Sequence, residues 1–168
     1  MVSVSKYAVQ SWQQRERVFN VMDNPFNARG DGSANDSGAI QKAIDAAKAK
    51  GGGKVVFPTG LYAIKNTILL YSNITLEFEH GGLVYAMNNF VALTPFAMRP
   101  AMFINAESLT PRSGFFIYVD ENIIIRGLNL DGNQAGQDAR LCGICLQYIT
   151  NPLIENSRFA NCGNNGVN

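Results

Sequence analysis

The chain has 168 residues, 46% of them hydrophobic and 16% charged, which suits one domain with a real core. A net charge of +1 and a pI near 7.7 argue against binding to nucleic acid or to a membrane surface by charge. No apolar run approaches the roughly 20 residues that span a bilayer, and sixteen glycines among many asparagines point to frequent tight turns, as a solenoid needs.

Residues 1–19 carry Lys6, Arg15, Glu16 and Arg17 among Gln10, Gln13 and Gln14, with Tyr7 and Trp12 as candidate anchors. Two readings stand for this segment: a loosely held tail, or an arm that docks the protein onto a larger assembly. It lacks the continuous apolar stretch of a secretory signal peptide, which a free secreted enzyme is expected to carry. Arg29-Gly30-Asp31 spells a cell-adhesion tripeptide, but it falls inside a turn where glycine serves backbone geometry.

The stretch 30–58 reads as a turn, an amphipathic helix, a glycine stop and a strand. Ile40, Ala43, Ile44 and Ala47 fall at i, i+3, i+4 and i+7 and share one face, while Gln41, Lys42, Asp45, Lys48 and Lys50 cover the rest. The spacing predicts a helix over 37–50. Asn35, Asp36 or Ser37 can supply its N-cap oxygen, Asp36 being preferred, and Gly51-Gly52-Gly53 ends it. A single helix with a thin stripe of small apolar residues, in a chain otherwise strand-like, has to bury that stripe against a sheet. The natural geometry is a lid over the open end of a stack of strands.

The run Asn20-Val21 … Gly30-Asp31-Gly32 … Asn35-Asp36-Ser37 … Ala39-Ile40 … Ala43-Ile44 … Gly51-Gly52-Gly53 … Val55-Val56-Phe57-Pro58 … Gly60 … Tyr62 resembles the N-terminal signature of the pectate-lyase-like (pectin-lyase superfamily) proteins. The match is dense from about 20 to 81 and looser beyond. The resemblance implies an all-β fold, a right-handed parallel β-helix in which this helix caps the first coil. It says less about function, because the same opening introduces polysaccharide lyases, glycoside hydrolases and phage tail spikes. The chain divides accordingly into an arm, 1–19, and the start of a β-helix, 20–168.

From residue 54 the sequence predicts strands at 54–57, 61–64, 67–70, 73–79 and 83–86, punctuated by Pro58-Thr59-Gly60 and Tyr71-Ser72-Asn73. Ile74, Leu76 and Phe78 alternate with Thr75, Glu77 and Glu79, the period of a half-buried strand. His80, the one histidine, reads as a surface turn residue. The stretch 87–114 breaks this rhythm. It is unusually apolar (Phe90, Phe96, Met98, Met102, Phe103) with prolines at 95, 100 and 111, and is expected to form a contact surface; the alternative is a loop packed on its own domain, partly strand at 101–105.

Next comes a repeat. Residues 122–131 align with 151–160, so that Ile125 meets Ile154, Leu130 meets Phe159 and Gly127 meets Asn156, 29 positions apart. Ile123 and Ile125 share one parity and Leu128 and Leu130 the other, so a bend near Gly127 lets both pairs point inward across a corner. Gly and Asn suit such a corner because both tolerate left-handed backbone. The family resemblance implies a ladder of stacked asparagines there, with Asn156 as a member. Ser157 opposite Leu128 implies a looser core. Cys142 and Cys145, in a strand-like CGIC, are expected to be buried small hydrophobes on opposite faces, not a metal or redox pair. The chain stops at Asn168 just after what reads as the start of another coil, with no capping element, so a continuation is expected.

The resemblance also frames the search for a site. Pectinolytic hydrolases of the superfamily carry paired-Asp, Gly-His-Gly and Arg-x-Lys motifs, none of which occurs in this sequence. Its lyases use acidic clusters for calcium and an arginine base. The candidates here are Asp120, Glu121, Asp131 and Asp138, with Arg126 and Arg140 nearby. Asp131-Gly132-Asn133 reads better as a turn and Asp120-Glu121 as a coil start. No catalytic, ligand-binding or metal residue is therefore assigned, and no cofactor is called for. By function, the resemblance together with the arm and the apolar stretch implies a virion protein of the tail-spike or appendage kind. Such a protein would be a homotrimer, docked to other virion proteins through the arm and attached to a cell-surface polysaccharide. The alternative is an extracellular polysaccharide lyase or glycoside hydrolase.

Overall fold

The structure, a computed structural model, describes residues 17–93, 100–110, 119–137 and 140–168. Tyr7, Trp12 and most of the arm lie outside the described residues, as do Phe96, Met98 and Asp138. Chain direction repeats in a fixed rotation through three sheets. The first holds β1 (Val18–Asn20), β3 (Gly53–Phe57), β6 (Ile74–Phe78), β10 (Ile124–Arg126) and β14 (Leu153–Glu155). The second holds β2 (Asp31–Asn35), β4 (Leu61–Asn66), β7 (Leu83–Val91), β11 (Asn129–Asp131) and β15 (Arg158–Ala160), and the third β5 (Ile68–Leu70), β8 (Ala101–Asn105) and β12 (Cys142–Cys145). A two-stranded sheet, β9 (Asp120–Glu121) with β13 (Ile149–Thr150), bridges the later coils. Strand pairing in all four sheets is parallel, so the chain winds as a parallel β-helix, as the resemblance implied.

Register follows the side chains. Val55 opposes Leu76, Leu76 opposes Ile125 and Ile125 opposes Ile154, giving coils of 21, 49 and 29 residues. The last is the predicted repeat, with Leu130 on Phe159 in the second sheet. The aligned residues stack because alternate positions along each strand of the first sheet face the interior: Val55, Leu76 and Ile125 are fully buried. Phe57 and Phe78 stack at 4.1 Å between ring centroids, and Tyr62 meets Phe57 edge-on at 5.4 Å.

The helix α1 (Ser37–Ala49) lies across the first end of this column. Ile40, Ala43, Ile44 and Ala47 are fully buried, each isoleucine supplying about 1.5–3 kcal/mol relative to exposure. Asp36 occupies the cap position, yet its carboxylate does not bond the helix. It accepts from the Arg29 and Gly30 backbone N–H groups at 2.7 and 3.0 Å instead, fixing the turn ahead of β2. Gln41, expected on the solvent side, also has a structural task. Its Oε1 accepts from Leu69 N–H at 2.8 Å and its Nε2 donates to the Leu69 carbonyl at 3.2 Å. The helix takes the place of a third-sheet strand in the first coil, and this amide covers the edge of β5 that would otherwise stand open.

Three expectations need correction. The asparagine ladder does not stand at the corner of Gly127 and Asn156. Both residues are left-handed there (φ 72° and 51°), but Gly127 has no side-chain amide to offer the next coil, only its backbone N–H on the Glu155 carbonyl at 3.1 Å. The ladder stands at the corner entering the first sheet, where Asn122 Nδ2 donates to Asn73 Oδ1 at 2.9 Å and Asn151 Nδ2 to Asn122 Oδ1 at 3.3 Å. Second, the stretch 87–114 is not a contact surface throughout: the strand expected at 101–105 is present as β8, but it is buried along its whole length between β5 and β12. Third, Cys142 and Cys145 are buried but not divided between faces. Both join Ala101 and Ile104 in one apolar cluster, with Leu69 and Leu109 against it. Every residue of β8 and β12 is buried, so both sides of these strands find apolar surroundings. Burial, with Cys142 beside it, pushes the Cys145 thiol up to about 11.

Candidate functional site

Of the described acids singled out in the sequence, Asp120 lies deepest, only 4% exposed. It accepts from Ser72 Oγ at 2.8 Å, Asn105 Nδ2 at 2.9 Å and Glu107 N–H at 3.0 Å. Asn105, fully buried, also exchanges two bonds with the Gln147 backbone, both 2.8 Å. These residues belong to successive coils, so the carboxylate is an internal staple whose acceptor capacity is spent on neutral donors. Glu121 is exposed beside it, with its N–H on Ser72 Oγ. His80 is exposed in the turn between β6 and β7, as expected.

Arg126 sits elsewhere, on the outer face of the first sheet. There Lys54 pairs with Glu77 at 3.5 Å, Glu77 with Arg126 at 4.0 Å, and Arg126 Nε bonds Glu155 Oε1. Alternating charge thus closes on itself along the column, and such exposed pairs contribute about 0–1 kcal/mol each. Arg29 pairs with Asp31 at 3.1 Å in the same way. The Ser33 and Ala34 N–H groups and the Ser33 hydroxyl hold that carboxyl down at about 2, so the adhesion-like tripeptide is turn chemistry. The structure does not bring Asp120 and Arg126 together with Asp131. Arg140 is exposed just before β12.

Asp131 borders a shallow open concavity of about 420 Å³ on the outer face of the second sheet, lined also by Leu83, Asn129, Arg158, Ala160 and Asn161. Register produces it: Leu83, Asn129 and Arg158 form one row across β7, β11 and β15, and Asp131 and Ala160 lie in the next. As the sequence predicted, Asp131 makes a turn, its Oδ1 accepting from Asn133 N–H at 2.8 Å. Its Oδ2 accepts from Asn161 Nδ2 at 2.9 Å. Asn129 Nδ2 donates to the Gly82 carbonyl at 3.2 Å. Arg158, exposed, makes no ion pair among the described residues. Sequence reading passed over Asn129 and Arg158, although the repeat aligned them: both precede an inward residue, Leu130 or Phe159, and so face out. Among the described residues no group of three or more His, Cys, Asp or Glu could hold a metal ion.

The sequence model of the rhamnogalacturonase A/epimerase, pectate lyase-like family matches residues 18–168. The chain belongs to that family. Among the curated relatives of this pectate lyase-like chain, alginate lyase 7 of Azotobacter vinelandii is 52% identical over 137 residues, 78% of this chain and 14% of the relative. Among solved structures, the A-module of mannuronan C-5 epimerase AlgE4 of the same organism superposes with a TM-score of 0.67 at 25% identity, over 87% of this chain and 39% of the module. ORF18 of Geobacillus virus E2 shares the fold, with a TM-score of 0.65 at 23% identity over 89% of this chain and 27% of that one. The chain thus spans well under two thirds of each of these three proteins. No helix among the described residues is long and apolar enough to cross a membrane.

Proposed function

We propose that these coils engage a polysaccharide along the outside of the column, holding the glycan without cutting it. The observation that carries this reading is the 52% identity over 137 residues to alginate lyase 7, which runs through most of the chain. Alginate-type chains are accordingly the first glycans to try. The described acids do not favour hydrolysis: Asp120 and Asp131 serve separate corners and both already accept from fixed donors. Glycoside hydrolysis would need two carboxyls facing each other across a groove, about 5–9 Å apart. The test is affinity electrophoresis and calorimetry of the chain against alginate, polygalacturonate and dextran, with reducing ends and unsaturated products followed in parallel. Binding without product is expected. No binding to any of the three overturns the reading, and product formation replaces it with an enzymatic one.

For the setting, we propose a virion appendage of the tail-spike kind, trimeric and docked through the part of the 1–19 arm ahead of β1, since Val18 and Phe19 belong to the first sheet, with the column attached to a host-surface glycan. The fold likeness to ORF18 of Geobacillus virus E2 and the polar segment ahead of residue 18 support it. The alternative is a free extracellular lyase or hydrolase. Mass by light scattering separates them, a trimer favouring the appendage and an active monomer the enzyme.

A further inference from the structure

We infer that the leading edge of the first sheet, β1, is an assembly contact that takes the N-terminal arm of a second copy as an added strand. The inference rests on the trimeric reading above and adds to it the surface and the segment that join the copies. The first end of the column is closed inside by α1. Side chains also occupy two of the three sheet edges there. In the third sheet Gln41 bonds both backbone groups of Leu69 on β5. In the second the Asp31 carboxylate accepts from the Ser33 and Ala34 N–H groups of β2, each at 2.8 Å.

The first sheet has no such cover among the described residues. Lys54 N–H donates to the Arg17 carbonyl at 2.8 Å and Val21 N–H to the Val56 carbonyl at 3.0 Å, with Phe19 opposite Val55 between them. Residues 17, 19 and 21 therefore turn their backbone groups toward β3, and alternation turns those of Val18 and Asn20 away from it. The Asn20 carbonyl accepts from Asp23 N–H at 3.1 Å. That leaves the Val18 N–H and carbonyl and the Asn20 N–H, on a strand whose Val18 is 58% exposed. Backbone groups in such a row pair with an extended chain.

The arm supplies that chain. Residues 2–9 carry Val2, Val4, Tyr7 and Val9, which favour strands, and no Gly, Pro, Asn or Asp. Pairing within one copy would need a tight reversal inside 10–16, and that link also has no Gly, Pro, Asn or Asp. Extended, the link reaches about 25 Å, more than twice the ~10 Å between packed sheets, so it carries the strand to a neighbour. Passing each arm to the next copy is a head-to-tail contact that closes as a ring.

The test is light scattering of the full chain, with a synthetic peptide of residues 1–9 as the probe. The wild type is expected to be a trimer. Val18→Pro removes the outward N–H and leaves the bonds to β3 in place, so it should reduce the mass to that of one chain, whereas Val18→Thr should stay trimeric. Deleting residues 1–9 should also give a monomer, and calorimetry should show the peptide binding this shortened chain. Adding Val18→Pro to the shortened chain should weaken that binding by about tenfold or more, the scale of one or two backbone bonds. Circular dichroism checks each fold, and the deletion decides if the proline variant does not fold. If the wild type is trimeric and the deletion or the folded Val18→Pro stays trimeric, or if the shortened chain ignores the peptide, the inference falls and the trimeric reading stands. A monomeric wild type ends both.

Discussion

At the corner leading out of the first sheet, Gly127 and Asn156 turn the chain through left-handed backbone, and no side-chain amide links one coil to the next. At the corner leading in, Asn73, Asn122 and Asn151 turn it the same way (φ 64°, 55° and 54°) and are bonded in series through their amides. The backbone demand is identical, and what differs is the neighbour. A ladder needs asparagine at the same corner of successive coils, because each amide donates to the one below. At the exit corner the earlier coil uses a longer turn, 79–82, and the next one uses glycine. One corner is therefore held by backbone fit and the other by side-chain bonds, and substitutions should separate the two.

The largest effect is expected at Gly127. A Cβ there would stand 2.7 Å from the Phe78 carbonyl oxygen, with φ at 72°. Gly127→Ala combines a backbone clash with left-handed strain, on the order of 3 kcal/mol, read as a lower midpoint in denaturant unfolding. Asp120→Asn follows. It keeps one oxygen and turns the other into an NH₂ that confronts either the Ser72 hydroxyl or the Asn105 and Glu107 donors beside the entering corner, at about 2–3 kcal/mol. A variant as stable as the wild type would mean that the staple is idle. Asn122→Ala removes the middle rung, losing one bond given and one received, for about 1–2 kcal/mol. Its effect should exceed that of Asn151→Ala, which loses one.

Much of this arrangement was legible in the sequence. The helix stripe gave the lid and its buried residues, and the 29-residue repeat gave the register of Ile125 on Ile154 and the bend at Gly127. The ladder was assigned to the wrong corner because the repeat was compared only at its bend. Asn73, Asn122 and Asn151 recur at the same intervals as the coil register, 49 and 29, one or two residues before β6, β10 and β14 of the first sheet. The role of Gln41 was hidden for a different reason: helical periodicity puts it off the apolar face, and only the missing third-sheet strand of the first coil gives its amide an edge to cover.

Asn156 gives the smallest effect and the sharpest form of the comparison. It is exposed, left-handed at φ 51°, and follows Gly127 at the corner with no amide beneath it. If the exit corner asks only for backbone freedom, Asn156→Gly should leave stability within about 0.5 kcal/mol, and Asn156→Ala should lose about 1 kcal/mol, the cost of left-handed strain. For a chain of this size that loss is a melting shift of about 2–4 °C. At Asn122 the same pair of substitutions should behave differently, because glycine there restores the backbone and not the bonds, so Asn122→Gly and Asn122→Ala should both destabilise. Asn156→Gly falling by as much as Asn122→Gly would show that the amide of Asn156 is bonded after all, and the two corners would then be held in the same way.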